Sequence, residues 1–152
     1  MWGITLNETT WSQAEALGYV VRSVENGGKI VVPKEGVKFC DFEEVGYFNN
    51  IYLYPDSDFP SEWKTKGFSW DNSYDKWIQV FKNLGFSIKV VMEPALIMEN
   101  GRQTLTALFI ATSSDKTLEF SMDFNYGKDG NLTSSPKTLS SIIVWPKDPK
   151  EK

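Results

Sequence analysis

The chain has 152 residues, of which 41% are hydrophobic and 14% aromatic, so it is long enough to bury a core without disulfides. Its net charge is −4 and it has no basic stripe, which argues against nucleic-acid binding, because neutralisation of phosphates dominates that affinity. No apolar run approaches the roughly 18 residues of a transmembrane helix, so no membrane span is predicted.

A short helix is predicted over residues 10–17. Thr10 and Gln13 have the spacing of a capping box, and Gly18 follows the last turn, where a left-handed residue is favoured. A helix this short is marginal by itself, so tertiary packing must hold it. The side chains expected on its buried face are Trp11, Ala14 and Leu17.

Strands are predicted for the rest of the first half. Residues 19–24 and 29–32 flank an Asn-Gly-Gly sequence at 26–28, which indicates a hairpin turn. Residues 37–42 and 50–54 are rich in apolar and aromatic side chains and continue the predicted sheet.

Residues 56–66 are polar and aperiodic, and they are predicted to be a linker. The longer helix is predicted over residues 73–84, with Ser73 or Asp71 as its cap and Gly85 after its end. Its apolar stripe recurs at helical spacing and consists of Tyr74, Trp77, Ile78, Phe81 and Leu84.

Five strand segments are predicted in the second half, at residues 86–92, 96–99, 102–111, 118–126 and 139–145. Pro94 separates the first two, and an Asn-Gly turn at 100–101 joins the second to the third. Residues 147–152 are predicted to be a disordered tail.

The two halves of the sequence share a series of short similarities in the same order. Gly-Ile-Thr-Leu-Asn at 3–7 resembles Gly-Phe-Ser-Trp-Asp at 67–71, and each precedes a predicted helix. Both helices end in Leu-Gly-aromatic, at 17–19 and at 84–86. One helix on one small sheet buries little surface, so two such units are expected to pack together.

These similarities predict an α+β fold, in which an antiparallel sheet carries two helices on one face and consists of two tandem helix-plus-meander units. The predicted division is a shortened first unit at 1–55, the linker at 56–66, a second unit at 67–146 and the tail at 147–152.

The repeat resembles that of beta-lactamase-inhibitory-protein-like domains, and also the paired modules of small lipoproteins from Gram-positive bacteria. The resemblance covers residues 3–146 and implies this fold and a bias toward protein binding. The sequence lacks the paired cysteines of the inhibitor pattern, so the resemblance does not carry inhibitory activity or any inhibitory residue to this chain.

The sequence contains no histidine, which excludes Ser-His-Asp and Cys-His nucleophile activation as well as histidine metal sites. Its one cysteine, Cys40, cannot form a structural zinc site and is expected to be an inert, packed thiol beside Asp41. We therefore predict a protein that is not an enzyme, with no catalytic residue, no cofactor and no metal.

Two features are candidates for an interaction surface. Phe59 and Trp63 lie in the predicted linker, so either they are exposed for binding or the linker folds back over the sheet. Residues 1–66 carry 10 acids and 6 bases, so Glu43 and Glu44 are candidate contacts for a basic partner, although a solvated acidic edge is the alternative.

Three functions fit these features, and in the first two the partner is another protein. The first is a non-catalytic protein-binding module of a bacterial surface or secreted protein, which favours an extracytoplasmic over a cytoplasmic location. The second is an immunity or enzyme-inhibitor protein that binds a partner enzyme through its acidic half. The third is a small glycan-binding module that uses exposed tryptophans.

Overall fold

The computed structural model describes residues 1–42, 44–55, 57–99, 101–127 and 137–147. These residues form three α-helices, a short 3₁₀ turn at Glu25–Gly27 and eight strands. In chain order the helices and strands are α1 Trp11–Ala16, β1 Val21–Ser23, β2 Gly28–Val31, β3 Val37–Phe42, β4 Phe48–Leu53, α2 Ser61–Thr65, α3 Tyr74–Asn83, β5 Ser87–Glu99, β6 Arg102–Thr112, β7 Leu118–Gly127 and β8 Leu139–Pro146.

All eight strands belong to one antiparallel sheet with the order β1-β2-β3-β4-β8-β7-β6-β5. The first four strands form one meander and the last four form another. The two meanders meet where β4 pairs with β8, with Ile51 opposite Val144 and Leu53 opposite Ile142. The centre of the sheet is therefore formed by strands from opposite halves of the chain.

The prediction of an α+β fold with two helices packed on the sheet is wrong. Strands take 43% of the chain and helices 19%, so the fold is mostly β. The physical reason lies in α1, which has six residues and buries only Ala14, while Trp11 and Leu17 are exposed. The division into two units stays a prediction. The predicted tail covers residues 147–152, and residues 148–152 of it lie outside the described part of the chain.

The predicted helix ends are confirmed. The Oγ of Ser73 accepts a hydrogen bond from the backbone N–H of Lys76 at 3.2 Å and caps α3. Gly85 follows with φ +81°, a backbone conformation that glycine adopts without strain. The capping box between Thr10 and Gln13 is present at the start of α1.

The predicted break at Pro94 is wrong, because β5 is continuous from Ser87 to Glu99. Among the described strands it is an outer one and pairs with β6 alone, so a proline without an N–H group can be accommodated at its outer edge. Register shifts between Val90 and Met92 and between Met92 and Ala95 absorb the irregularity. Bulges and a proline on a long edge strand also oppose pairing with other chains.

Phe68, in the loop between α2 and α3, belongs to an aromatic cluster of the core. Its ring centroid lies 5.3 Å from that of Trp63, 5.2 Å from that of Trp77 and 5.9 Å from that of Phe120. Phe68 thereby connects α2, α3 and β7, and most of these ring pairs meet edge to face, the geometry that aromatic quadrupoles favour.

We expect Phe68→Ala to lower the free energy of unfolding by about 3–5 kcal/mol, because it leaves a cavity at the centre of this aromatic cluster. The matched control is Phe42→Ala, since Phe42 is 52% exposed. Urea denaturation of both variants measures the difference. Equal losses in the two variants would show that Phe68 is not central to the core.

Candidate functional site

The two faces of the sheet differ in what covers them. Successive side chains along a strand point to opposite faces of the sheet. Residues paired across neighbouring strands therefore form a row on one face, and the next row lies on the other face. One row contains Phe39, Ile51, Val144 and Phe120, which are buried, and the helices contribute their buried residues to the same core. The next row lies on the other face, which we call the open face; it consists of Lys38, Tyr52, Ile143, Ser121, Ile110 and Lys89.

Two cavities adjoin on the open face. One, of about 410 Å³, is lined in part by Asn50, Ile143 and Trp145. The other, of about 230 Å³, is lined in part by the open-face side chains of β2 and β3. Both are lined by Phe42 and Tyr52, so together they form one depression along β3, β4 and β8, which we call the open-face groove.

The ring of Trp145 is held in place beside this groove. Its Nε1–H donates to Oε2 of Glu119 at 2.8 Å, and the Nζ of Lys147 donates to Oε1 of the same carboxylate at 2.9 Å. The hydrogen bond from Lys147 lowers the pKa of Glu119, and burial opposes this effect. Trp145 is therefore orientated before any partner arrives.

The open face carries more positive than negative charge, although the whole protein carries −4. The strand register, or an ion pair with a residue so placed, assigns charged residues to this face. Those whose side chains the structure describes are Arg22, Lys38, Lys89, Lys147, Glu119 and Asp123. Four of these are cations and two are carboxylates, so this face attracts acidic groups.

Lys38 and Cys40 lie on neighbouring open-face positions of β3. The Nζ of Lys38 lies 5.3 Å from the ring centroid of Tyr54, in cation–π contact. Burial raises the pKa of the Cys40 thiol to about 11, and the charge of Lys38 lowers it by less. The thiol is therefore protonated at neutral pH.

We expect Cys40 to be alkylated by iodoacetamide far more slowly than a free thiol at pH 7–8, because the thiolate is the nucleophile. The rate is expected to rise with pH toward about 11. Alkylation followed by mass spectrometry, with the urea-unfolded protein as control, measures this. Equal rates in folded and unfolded protein would contradict the burial of the thiol.

Asp41 is the next residue on β3, at a register shift, and its side chain is 1% exposed. Neither carboxylate oxygen has a hydrogen-bond partner among the described residues. Burial raises the pKa of Asp41. The nearby backbone N–H groups of Gly46 and Tyr47, which do not reach hydrogen-bonding geometry, and the charge of Lys29 offset only part of this effect. The sequence analysis did not predict this burial, because Asp41 lies close to Glu43 and Glu44 in the sequence, a pattern typical of a solvated acidic edge.

Because the pKa of Asp41 is higher in the folded state than its ordinary value of 3.8, the folded protein binds a proton more tightly than the unfolded chain. The free energy of unfolding therefore falls as pH rises from about 4 through the folded-state pKa, and stays lower above it. We expect Asp41→Asn to stabilise the protein at pH 7 and to remove this loss.

Urea denaturation from pH 4 to pH 7 measures the effect, with the exposed carboxylate Glu44 as the site of the control variant Glu44→Gln. The difference between Asp41→Asn and the unsubstituted protein should be largest at pH 7 and smallest at pH 4. A difference that is constant across this range would show that Asp41 does not titrate abnormally.

The structure places the predicted aromatic site residues in or against the core. Phe59 is 4% exposed, and Trp63 is partly buried with its ring 5.5 Å from that of Phe120. Their rings lie 6.5 Å apart, so the structure brings these two together. The segment predicted as a linker contains α2 and folds back over the sheet, the second of the two alternatives.

Of the two predicted acidic contacts, Glu44 is exposed in the turn between β3 and β4 and does not line the groove. Glu43 lies outside the described residues. The sequence analysis missed Tyr52 and Trp145 as surface residues. A sequence pattern could have identified them, because β4 and β8 are apolar at successive positions. This pattern indicates strands with apolar side chains on both faces.

No protein-family model, curated protein or solved structure matches this chain. The likeness to beta-lactamase-inhibitory-protein-like repeats therefore stays a resemblance of sequence. None of the helices in the described part of the chain has the length and apolar character needed to cross a bilayer.

Proposed function

We propose that this protein is a non-catalytic binding module whose open face docks against an acidic surface of another protein. The observation that carries this proposal is the open-face groove, a depression lined by aromatic, apolar and amide side chains on a sheet face whose described charged residues are mostly cations. An extracytoplasmic location, at a bacterial surface or after secretion, belongs to the same proposal.

The layout of the open face supports a protein partner. Tyr52, Ile143 and Trp145 lie at its centre and charged side chains lie around them, the arrangement typical of protein interfaces. Tyrosine and tryptophan are enriched among the residues that carry binding energy. Since Trp145 is already fixed by Glu119, little side-chain entropy is lost when it is covered.

The charge of the open face supports an acidic partner, because complementary potentials accelerate association and select partners. This differs from the expectation that the acidic first half contacts a basic protein. Glu15, Glu25 and Glu62 lie on α1, the 3₁₀ turn and α2, so these acidic residues are spread over helices and turns outside the open face.

We expect the double variant Tyr52→Ala, Trp145→Ala to lose partner binding by at least about tenfold, because aromatic residues at an interface centre typically contribute more than 1–2 kcal/mol each. The control is Trp11→Ala, Val20→Ala, which removes exposed apolar side chains elsewhere. Immobilised versions of the three proteins capture partners from lysate and culture supernatant of the source organism, and mass spectrometry identifies what each retains.

The proposal is supported if the control captures an acidic protein that the open-face variant does not capture. Titration calorimetry of this protein with the captured one then measures the loss of affinity. The role of charge is tested with Lys38→Glu, Lys89→Glu against Lys82→Glu, a lysine on α3. The open-face reversal should abolish capture and Lys82→Glu should not. A partner that binds all variants equally would place the interface elsewhere and contradict the proposal.

A further inference from the structure

A separate cavity of about 570 Å³ lies where Pro55, residues 57–59, α2, the loop at 68–71 and the start of β8 meet. This volume is within the range of about 300–1,000 Å³ that small-molecule sites occupy. None of its described lining residues lines the open-face groove. Nothing in the proposed protein-binding function uses this cavity.

One wall of the cavity is a fixed aromatic surface. Trp70 stacks on Phe59 with ring centroids 5.1 Å apart and an angle of 17° between the rings. The Nε1–H of Trp70 donates to the backbone carbonyl of Ser57 at 2.8 Å. The indole is therefore held by a stacked ring and a hydrogen bond, so that a ligand would meet a surface that is already ordered.

The described residues at the rim of the cavity carry balanced charge. Lys64 forms an ion pair with Asp58, and Lys137 lies 3.6 Å from Asp71. A charged ligand would be attracted by one member of each pair and repelled by the other. An uncharged ligand with several hydroxyl groups can both donate to the carboxylates and accept from the ammonium groups.

We propose that this cavity is a binding site for an uncharged, polyhydroxylated ligand, namely a saccharide unit. The aromatic wall offers an apolar face to the ring of the sugar. Asp58 and Asp71 can accept hydrogen bonds from its hydroxyls, and Lys64 and Lys137 can donate to them. The site is independent of the open-face groove, so either proposal can fail without the other.

The experiment titrates the ¹⁵N-labelled protein with maltose, cellobiose and chitobiose, using the indole N–H signal of Trp70 as the readout. At about 10 mM sugar, a site with a dissociation constant of about 1 mM is almost filled. We expect saturable movement of the Trp70 signal with at least one of these sugars, and no comparable movement with inorganic phosphate.

Asp71→Ala should weaken binding about tenfold, because it removes a carboxylate that accepts hydrogen bonds from the sugar and, at an exposed rim position, leaves the core intact. Its matched control is Asp75→Ala, at an exposed aspartate of α3 outside the cavity. The proposal is overturned if no sugar moves the Trp70 signal, if phosphate moves it equally, or if Asp71→Ala binds like Asp75→Ala.

Discussion

The pairing of β4 with β8 is the contact on which the rest of this structure depends. On one face it places Ile51 against Val144 and continues the buried row beneath the aromatic cluster. On the other face it places Tyr52 opposite Ile143, so that the cavities on either side adjoin as one groove. Without this pairing the chain would form two four-stranded sheets, and each sheet would contain only part of the open face.

Features set by a few neighbouring residues could be predicted from the sequence. The capping box at Thr10, the cap at Ser73 and the alternation of β7 are local, because each depends on side chains within a turn or a strand. The bounds of β3 and the approximate bounds of the other strands followed from the same kind of signal.

Features set by distant partners could not be predicted. Pro94 is tolerated only because β5 is the last strand of the sheet, and strand order is not visible in a local pattern. Phe59 belongs to the core because α2 folds back, and Asp41 is buried because of what packs over it. The open face escaped the sequence analysis for the same reason, since its residues come from both meanders.

The position of the central pair also has a consequence for how the chain acquires its structure. Tyr52 and Ile143 are about ninety positions apart, so joining them requires closure of a long loop. Sheets dominated by such distant pairings fold slowly. During synthesis, β4 is complete long before β8 emerges, and its outer N–H and C=O groups stay without their strand partner in that interval. The nascent chain is therefore most prone to aggregation between the synthesis of these two strands, and a chaperone that shields a strand edge would act in this interval.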